Sequence, residues 1–304
     1  MNPHADLELT ASYRRCERLT WRYGTTYYWG ALLLPAQSRR HVHAVYALCR
    51  LADDVVDDMS RDVQQRRDGL ARFRIRFSAD LAAGASDDPV LAAVVHTVRI
   101  CGIDPECFDR FFDAMAMDLD VVSYDTWDDL LDYMEGSAAV IGEMMLPVLR
   151  PSDPEAFQPA RSLGLAFQLT NFLRDVGEDL DRGRVYLPQT DLTRFDADPW
   201  RRRVDPAWQA LMRFQIERCR LLYAHADGGV AMLPPRSARC VTTARVLYSR
   251  ILDRIEAADY DVFSHRVRVP TWHKAALAAR VMMTGPTSTR GRLDGTTSRD
   301  PFER

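Results

Sequence analysis

Lysine is almost missing from this chain: of 40 basic residues, every one except Lys274 is arginine. Such a bias follows base composition and carries no functional weight. Asparagine is nearly as scarce, with only Asn2 and Asn171, so the place of Asn171 is informative. A strong charge of one sign is also missing. The net charge of -3 gives no global basic field, and nucleic acid is therefore not expected as a partner. The six cysteines form no Cys-x-x-Cys pair and no finger-type spacing, which speaks against a disulfide framework or a structural zinc and for free thiols in a reducing compartment. Long apolar runs are absent too. The most apolar stretch, Ala138 to Leu149, is broken by Glu143 and Pro147 and falls short of the roughly 20 residues a membrane span needs. Met1 is followed by the polar segment NPHADLELT, so no signal peptide is expected and the chain reads as cytoplasmic, with at most peripheral membrane contact.

What is present is helical periodicity. Apolar residues recur at i, i+3, i+4 and i+7 almost throughout, strand-type alternation is nearly absent, and the fold reads as all-α. The pattern predicts helices over 7–23, 37–58, 62–82, 89–101, 105–122, 126–149, 154–181, 206–227, 237–258 and 271–283. No linker or fixed-period repeat divides them, so residues 1–284 are expected to form one domain. The polar, Gly-, Ser- and Thr-rich stretch 285–304 is expected to be a disordered tail.

Two acidic constellations stand out. In HAVYALCRLADDVVDD, a helix places Tyr46, Arg50, Asp53 and Asp57 on one stripe, ringed by Ala44, Val45, Ala47, Leu48, Leu51, Val55 and Val56. Carboxylates in so apolar a setting must be neutralised, paired or metal-bound. In GLAFQLTNFLRDVGEDLDRGRVYLP, Asn171, Asp175 and Asp179 follow at intervals of four, with Gln168 one turn earlier and Arg174, Arg182 and Arg184 nearby. Either motif alone is compatible with a solvated acidic helix face. Together they suit magnesium, which takes one or two carboxylates plus substrate phosphates, while Arg50, Arg174 and Arg184 suit phosphate oxygens.

At these residues the sequence resembles the squalene and phytoene synthase family, most closely its bacterial phytoene synthases. The likeness extends to TTYYWGALLLP (25–35), YMEGSAAVIG (133–142) and ARVLYSRILDRIEAADYDVF (244–263). It implies a helical isoprenoid-synthase bundle around a central cavity, with the two aspartate motifs at its mouth. It implies head-to-head condensation of two geranylgeranyl diphosphates, through a cyclopropylcarbinyl diphosphate, to phytoene in carotenoid biosynthesis. Asp53, Asp57, Asn171, Asp175 and Asp179 are then expected to bind magnesium, with manganese as the alternative ion and no NADPH. Tyr46, Arg50 and Arg174 are expected to support catalysis, and Thr26, Tyr133, Gln168, Asn171, Arg184 and Tyr260 to bind substrate.

Downstream carotenoid enzymes are further expected partners. Tyr27, Tyr28, Trp29, Phe167 and Phe172 are candidate cavity walls, although each is also ordinary core material. Glu135 and Glu143 depart from the family pattern, facing either solvent or the pocket. The nearest rival is a squalene or dehydrosqualene synthase using farnesyl diphosphate; a non-catalytic binding or assembly protein is the remote one. A second DDxxD, as in chain-elongating synthases, and the metal triad of terpene cyclases are both missing.

Overall fold

The computed structural model describes residues 3–267. The predicted helix over 271–283 and the expected tail over 285–304 lie outside these residues. Among the described residues there is no strand, only an isolated bridge between Ser123 and Val185.

Twelve α-helices follow one another: α1 (Pro3–Tyr23), α2 (Thr25–Ala31), α3 (Ala36–Val56), α4 (Val63–Ala83), α5 (Leu91–Cys101), α6 (Glu106–Met117), α7 (Trp127–Met134), α8 (Val140–Leu149), α9 (Phe157–Asp181), α10 (Gln189–Phe195), α11 (Pro206–Asp227) and α12 (Pro235–Ala257). Their ends carry the expected chemistry. Asp62 and Gln65 form a capping box on α4, Thr126 and Asp129 another on α7, and Asp205 caps α11 just before Pro206.

Two hydrophobic clusters organise the bundle. One surrounds α3 with Leu70, Phe77, Val94, Phe108, Phe111 and Met144; the other surrounds α9 with Trp208, Leu211, Ile216, Tyr223, Leu247 and Leu252. Each acidic motif thus rides on the central helix of its own cluster.

The structure departs from the sequence pattern at four places. The helix predicted over 105–122 stops at Met117, because residues 118–122 turn to meet the chain after α9: Arg184 donates to the Asp118 carbonyl (2.6 Å) and the Val185 amide to the Val122 carbonyl (2.8 Å). The single helix predicted over 126–149 is interrupted by a π-helical turn, Glu135–Ala139, which absorbs one extra residue where α6 comes close. A Cβ on Gly136 there would lie 2.5 Å from the Arg110 carbonyl. Helices α2 and α10 were not expected from the pattern. Helix α2 is a seven-residue run of Thr, Tyr, Trp, Gly and Ala with weak intrinsic propensity, held by packing of Gly30 against the Cys240 carbonyl and Ala244 on α12.

Candidate active site

The two acidic motifs end up facing each other across a gap between the α3 and α9 clusters. Arg182 and Arg184, just beyond the C-terminus of α9, reach across to Asp57 at the end of α3, at 3.3 Å and 3.7 Å. Helix α3 presents Tyr46, Arg50, Asp53 and Asp57 on one stripe as the spacing requires, and α9 presents Gln168, Asn171, Asp175 and Asp179.

The four aspartates are electrostatically unequal. Asp57 shares Arg182 and Arg184. Asp175 accepts two parallel bonds from Arg174 (2.7 and 2.6 Å) and two from Arg266 (2.8 and 2.7 Å). Burial would raise its carboxyl, but these two guanidinium forks hold it below the ordinary carboxylate range. Asp53 and Asp179 have no ion pair among the described residues. Burial, then repulsion from Asp57, pushes Asp53 up to about 7. Burial, then repulsion from Asp175, pushes Asp179 up to about 7. Asn171 donates to Gln168 (3.3 Å), while its own carbonyl oxygen Oδ1 is enclosed without a donor.

Next to this polar mouth lies an apolar tunnel. Tyr27, Phe167, Gln168, Leu149, Ala156 and Leu233 are among its lining residues. From Gln168 to Ala156 the wall follows α9 and its lead-in turn for twelve residues, about 18 Å at the helical rise. Small side chains are frequent in the lining: Ser137 and Ala138 on the π-turn and Gly142 on α8, and Ala160 and Gly164 on α9, which packs directly against them. The same glycines permit tight helix contact, since a Cβ on Gly142 or Gly164 would fall 2.2 Å from a backbone carbonyl.

The remaining candidates separate. Tyr46 sits against Gly24, where a Cβ would lie 2.5 Å from its ring, and meets Tyr27 in an aromatic group with Phe167 and Tyr248. Thr26 stands half-buried in the first turn of α2. Tyr133 is buried and donates to Asp118 (2.7 Å). Arg50 is committed to Asp54 and lies over the Tyr23 ring (4.5 Å), not on Asp53. Tyr260 adopts left-handed backbone (φ 63°), its carbonyl accepts from Trp208, and its ring faces Arg213 on α11.

Of the candidate wall aromatics, Tyr27 and Phe167 line the tunnel. Tyr28 instead stacks on His43, Trp29 meets Tyr28 edge-on, and Phe172 stacks on Tyr186 at 4.0 Å. Neither Glu135 nor Glu143 lines the tunnel. Both grip Arg110 and Arg161 in a closed ionic ring, in which Glu135 is partly exposed to solvent and the Glu143 side chain is only 9% exposed.

Three residues at the site escaped the sequence reading. Arg266 lies 91 positions from Asp175, beyond any helical register. Asp118 and Tyr186 belong to turns, where no periodicity marks a shared face.

The chain is similar to known proteins in both sequence and fold. The family model for squalene/phytoene synthase matches residues 21–273. The chain is 38% identical over 293 residues to a phytoene synthase of Arthrospira platensis, covering 89% of this chain and 94% of that one. It is 37% identical over 281 residues to a 15-cis-phytoene synthase of Synechococcus elongatus, covering 88% and 91%. Among solved structures, a dehydrosqualene synthase in complex with ligand superposes with a TM-score of 0.84 at 26% identity, covering 91% of this chain and 98% of that one. The squalene synthase HpnC from Alicyclobacillus acidocaldarius gives 0.76 at 29%, covering 84% and 97%.

Proposed function

This chain belongs to the squalene/phytoene synthase family and is an enzyme of the prenyltransferase type, and from that premise we propose that it condenses two geranylgeranyl diphosphates head to head to phytoene. The observation that carries the reading is the junction of a polar mouth with an apolar tunnel: Gln168 lines the tunnel and is hydrogen-bonded to Asn171, one turn before Asp175. A molecule with an anionic head and a long apolar tail fits such a junction end to end.

The donor set suits magnesium. Asp53 and Asp179 make no close ion pair and the Asn171 oxygen has no donor among the described residues, and all are hard oxygen ligands. Asp53, Asp57, Asn171 and Asp179 would hold it, with Asp175 joining when Arg174 and Arg266 turn to the diphosphate. Bound there, magnesium offsets the charge of the departing diphosphate.

The chain's own groups do the rest. Arg182 and Arg184 span the gap between the motifs and are placed to take diphosphate oxygens. Tyr27 and Phe167 offer ring faces to an allylic cation, and the apolar wall keeps out the water that would quench it. No helix among the described residues is long and apolar enough to cross a membrane, so delivery of so apolar a product to a bilayer or to downstream carotenoid enzymes would be by surface contact.

The likeness to a squalene and a dehydrosqualene synthase supports a second reading, use of farnesyl diphosphate. One experiment separates the two: purified protein, magnesium and either C15 or C20 allylic diphosphate, with and without NADPH, followed by mass spectrometry. A C40 hydrocarbon formed from the C20 substrate without NADPH is expected. Products only from the C15 substrate would replace phytoene synthesis by the second reading.

A further inference from the structure

Asp118 belongs to neither acidic motif, yet the structure brings it to the same site. It follows the last residue of α6, and each of its carboxylate oxygens accepts a phenol: Tyr133 donates to Oδ2 at 2.7 Å and Tyr186 to Oδ1 at 3.1 Å. Its main-chain carbonyl takes the Arg184 guanidinium at 2.6 Å, and the other terminal nitrogen of Arg184 lies 3.7 Å from Asp57. The carboxylate has no side-chain ion pair among the described residues.

Around it stands an aromatic wall. Tyr133, Tyr124 and Phe172 are each no more than 5% exposed, and Tyr186 stacks flat on Phe172 with ring centroids 4.0 Å apart. Tyr133 meets Tyr124 at 5.4 Å and Tyr186 at 5.9 Å. Burial lifts the Asp118 carboxyl above its ordinary range, against the pull of Tyr133, Arg184 and Tyr186. Asp53 and Asp57 both lie within electrostatic range of it.

Both oxygens being taken by phenols separates Asp118 from Asp53 and Asp179, whose oxygens have no hydrogen-bond donor among the described residues. A metal would have to displace two tyrosines to reach it. The chemistry left to such a group is electrostatic: a negative charge held among aromatic rings in a poorly screened setting beside the acidic group favours positive charge forming nearby. Accepting the phenol protons also makes Tyr133 and Tyr186 more electron-rich, in their oxygens and their ring faces.

Resting on the proposed function, we infer that Asp118 is a positioning residue for carbocation formation: it fixes Tyr133 and Tyr186 and acts through them as a fixed counter-anion, without binding metal or substrate. A catalyst so arranged loses rate without losing affinity, since the interaction strengthens only as the cation develops.

The test is Asp118→Asn, assayed for diphosphate release, hydrocarbon and prenyl alcohol beside wild type. The expected result is a fall in kcat of about a hundredfold, with KM and the magnesium half-saturation within about threefold. More of the consumed substrate should appear as prenyl alcohol, because a poorly stabilised cation is captured by water. Asp118→Glu should recover part of the rate. A tenfold rise in the magnesium requirement would make Asp118 a metal ligand and overturn the inference, as would a kcat within threefold of wild type.

Should Asp118→Asn fail to fold, Tyr186→Phe keeps the ring and removes one hydroxyl. A roughly tenfold fall in kcat at constant KM supports the inference, and no fall overturns it. Wild type that releases no diphosphate from any allylic substrate removes the proposed function and this inference with it. An active wild type with an unaffected Asp118→Asn removes the inference alone.

Discussion

Helices α3 and α9 carry the same Asp-x-x-x-Asp spacing, but the protein treats the two pairs differently. On α3 the outer aspartate, Asp57, is compensated from across the gap by Arg182 and Arg184, while Asp53 is left uncompensated. On α9 the inner aspartate, Asp175, is clamped by its neighbour Arg174 and by Arg266 from the chain after α12, while Asp179 makes no close ion pair among the described residues and feels Arg182 and Arg184 only at longer range. Each motif therefore holds one satisfied carboxylate and one that burial and repulsion push up to about 7. The lesson is that equal spacing does not mean equal roles. Asp57, through Arg182 and Arg184, and Asp175, through Arg266, join separate segments, whereas Asp53 and Asp179 make no such ion pair among the described residues.

The comparison can be broken most sharply by removing the uncompensated members. Asp53→Asn and Asp179→Asn should each lower diphosphate release about a thousandfold while the circular-dichroism melt at pH 8 stays at or above the wild-type temperature. A loss of helical signal in step with activity would count against the assignment. Asp175→Asn should behave differently, because it strands two guanidinium groups in a shielded site. A loss of about 3 kcal/mol in denaturant unfolding is expected, beyond any effect on turnover. If Asp175→Asn and Asp179→Asn proved equally stable, the distinction between clamped and open carboxylates would fall.

A third prediction follows from the sign of the shifts. The folded-state values of Asp53 and Asp179, about 7, lie above the ordinary 3.8, so ionising them opposes the fold and stability is lost as pH rises from about 4 through 7. In magnesium-free buffer, the stability advantage of Asp179→Asn over wild type should grow by about 2 kcal/mol between pH 5 and pH 8. An advantage that does not change with pH would show that Asp179 is compensated after all. The smallest effect concerns the tunnel. Ala160→Phe projects into it beneath both motifs and should lower the C20-to-C15 ratio of kcat/KM about tenfold, leaving magnesium dependence alone.

Much of this site was legible because helices convert spacing into faces. Tyr46, Asp53 and Asp57, and likewise Gln168, Asn171, Asp175 and Asp179, needed only the 3.6-residue period to fall on common stripes. The apolar residues around them announced an enclosed setting, and the rarity of asparagine drew attention to Asn171. Arg50 shows the limit of that reasoning. It shares the stripe, yet its long side chain turns to Asp54 one helical turn on, a choice that spacing leaves open.

What the sequence determined by itself was the all-helical class, the two acidic faces and their chemical type, since these depend on residues within a few turns of one another. Tertiary structure alone decided which carboxylates are neutralised, where the tunnel runs, and that Asp118, Tyr186 and Arg266 join the site. Those outcomes rest on contacts between turns and segments far apart in the chain, such as Arg266 with Asp175 and Arg184 with Asp118. Burial and compensation of charge arise only when separate elements close around one another, so no local period records them.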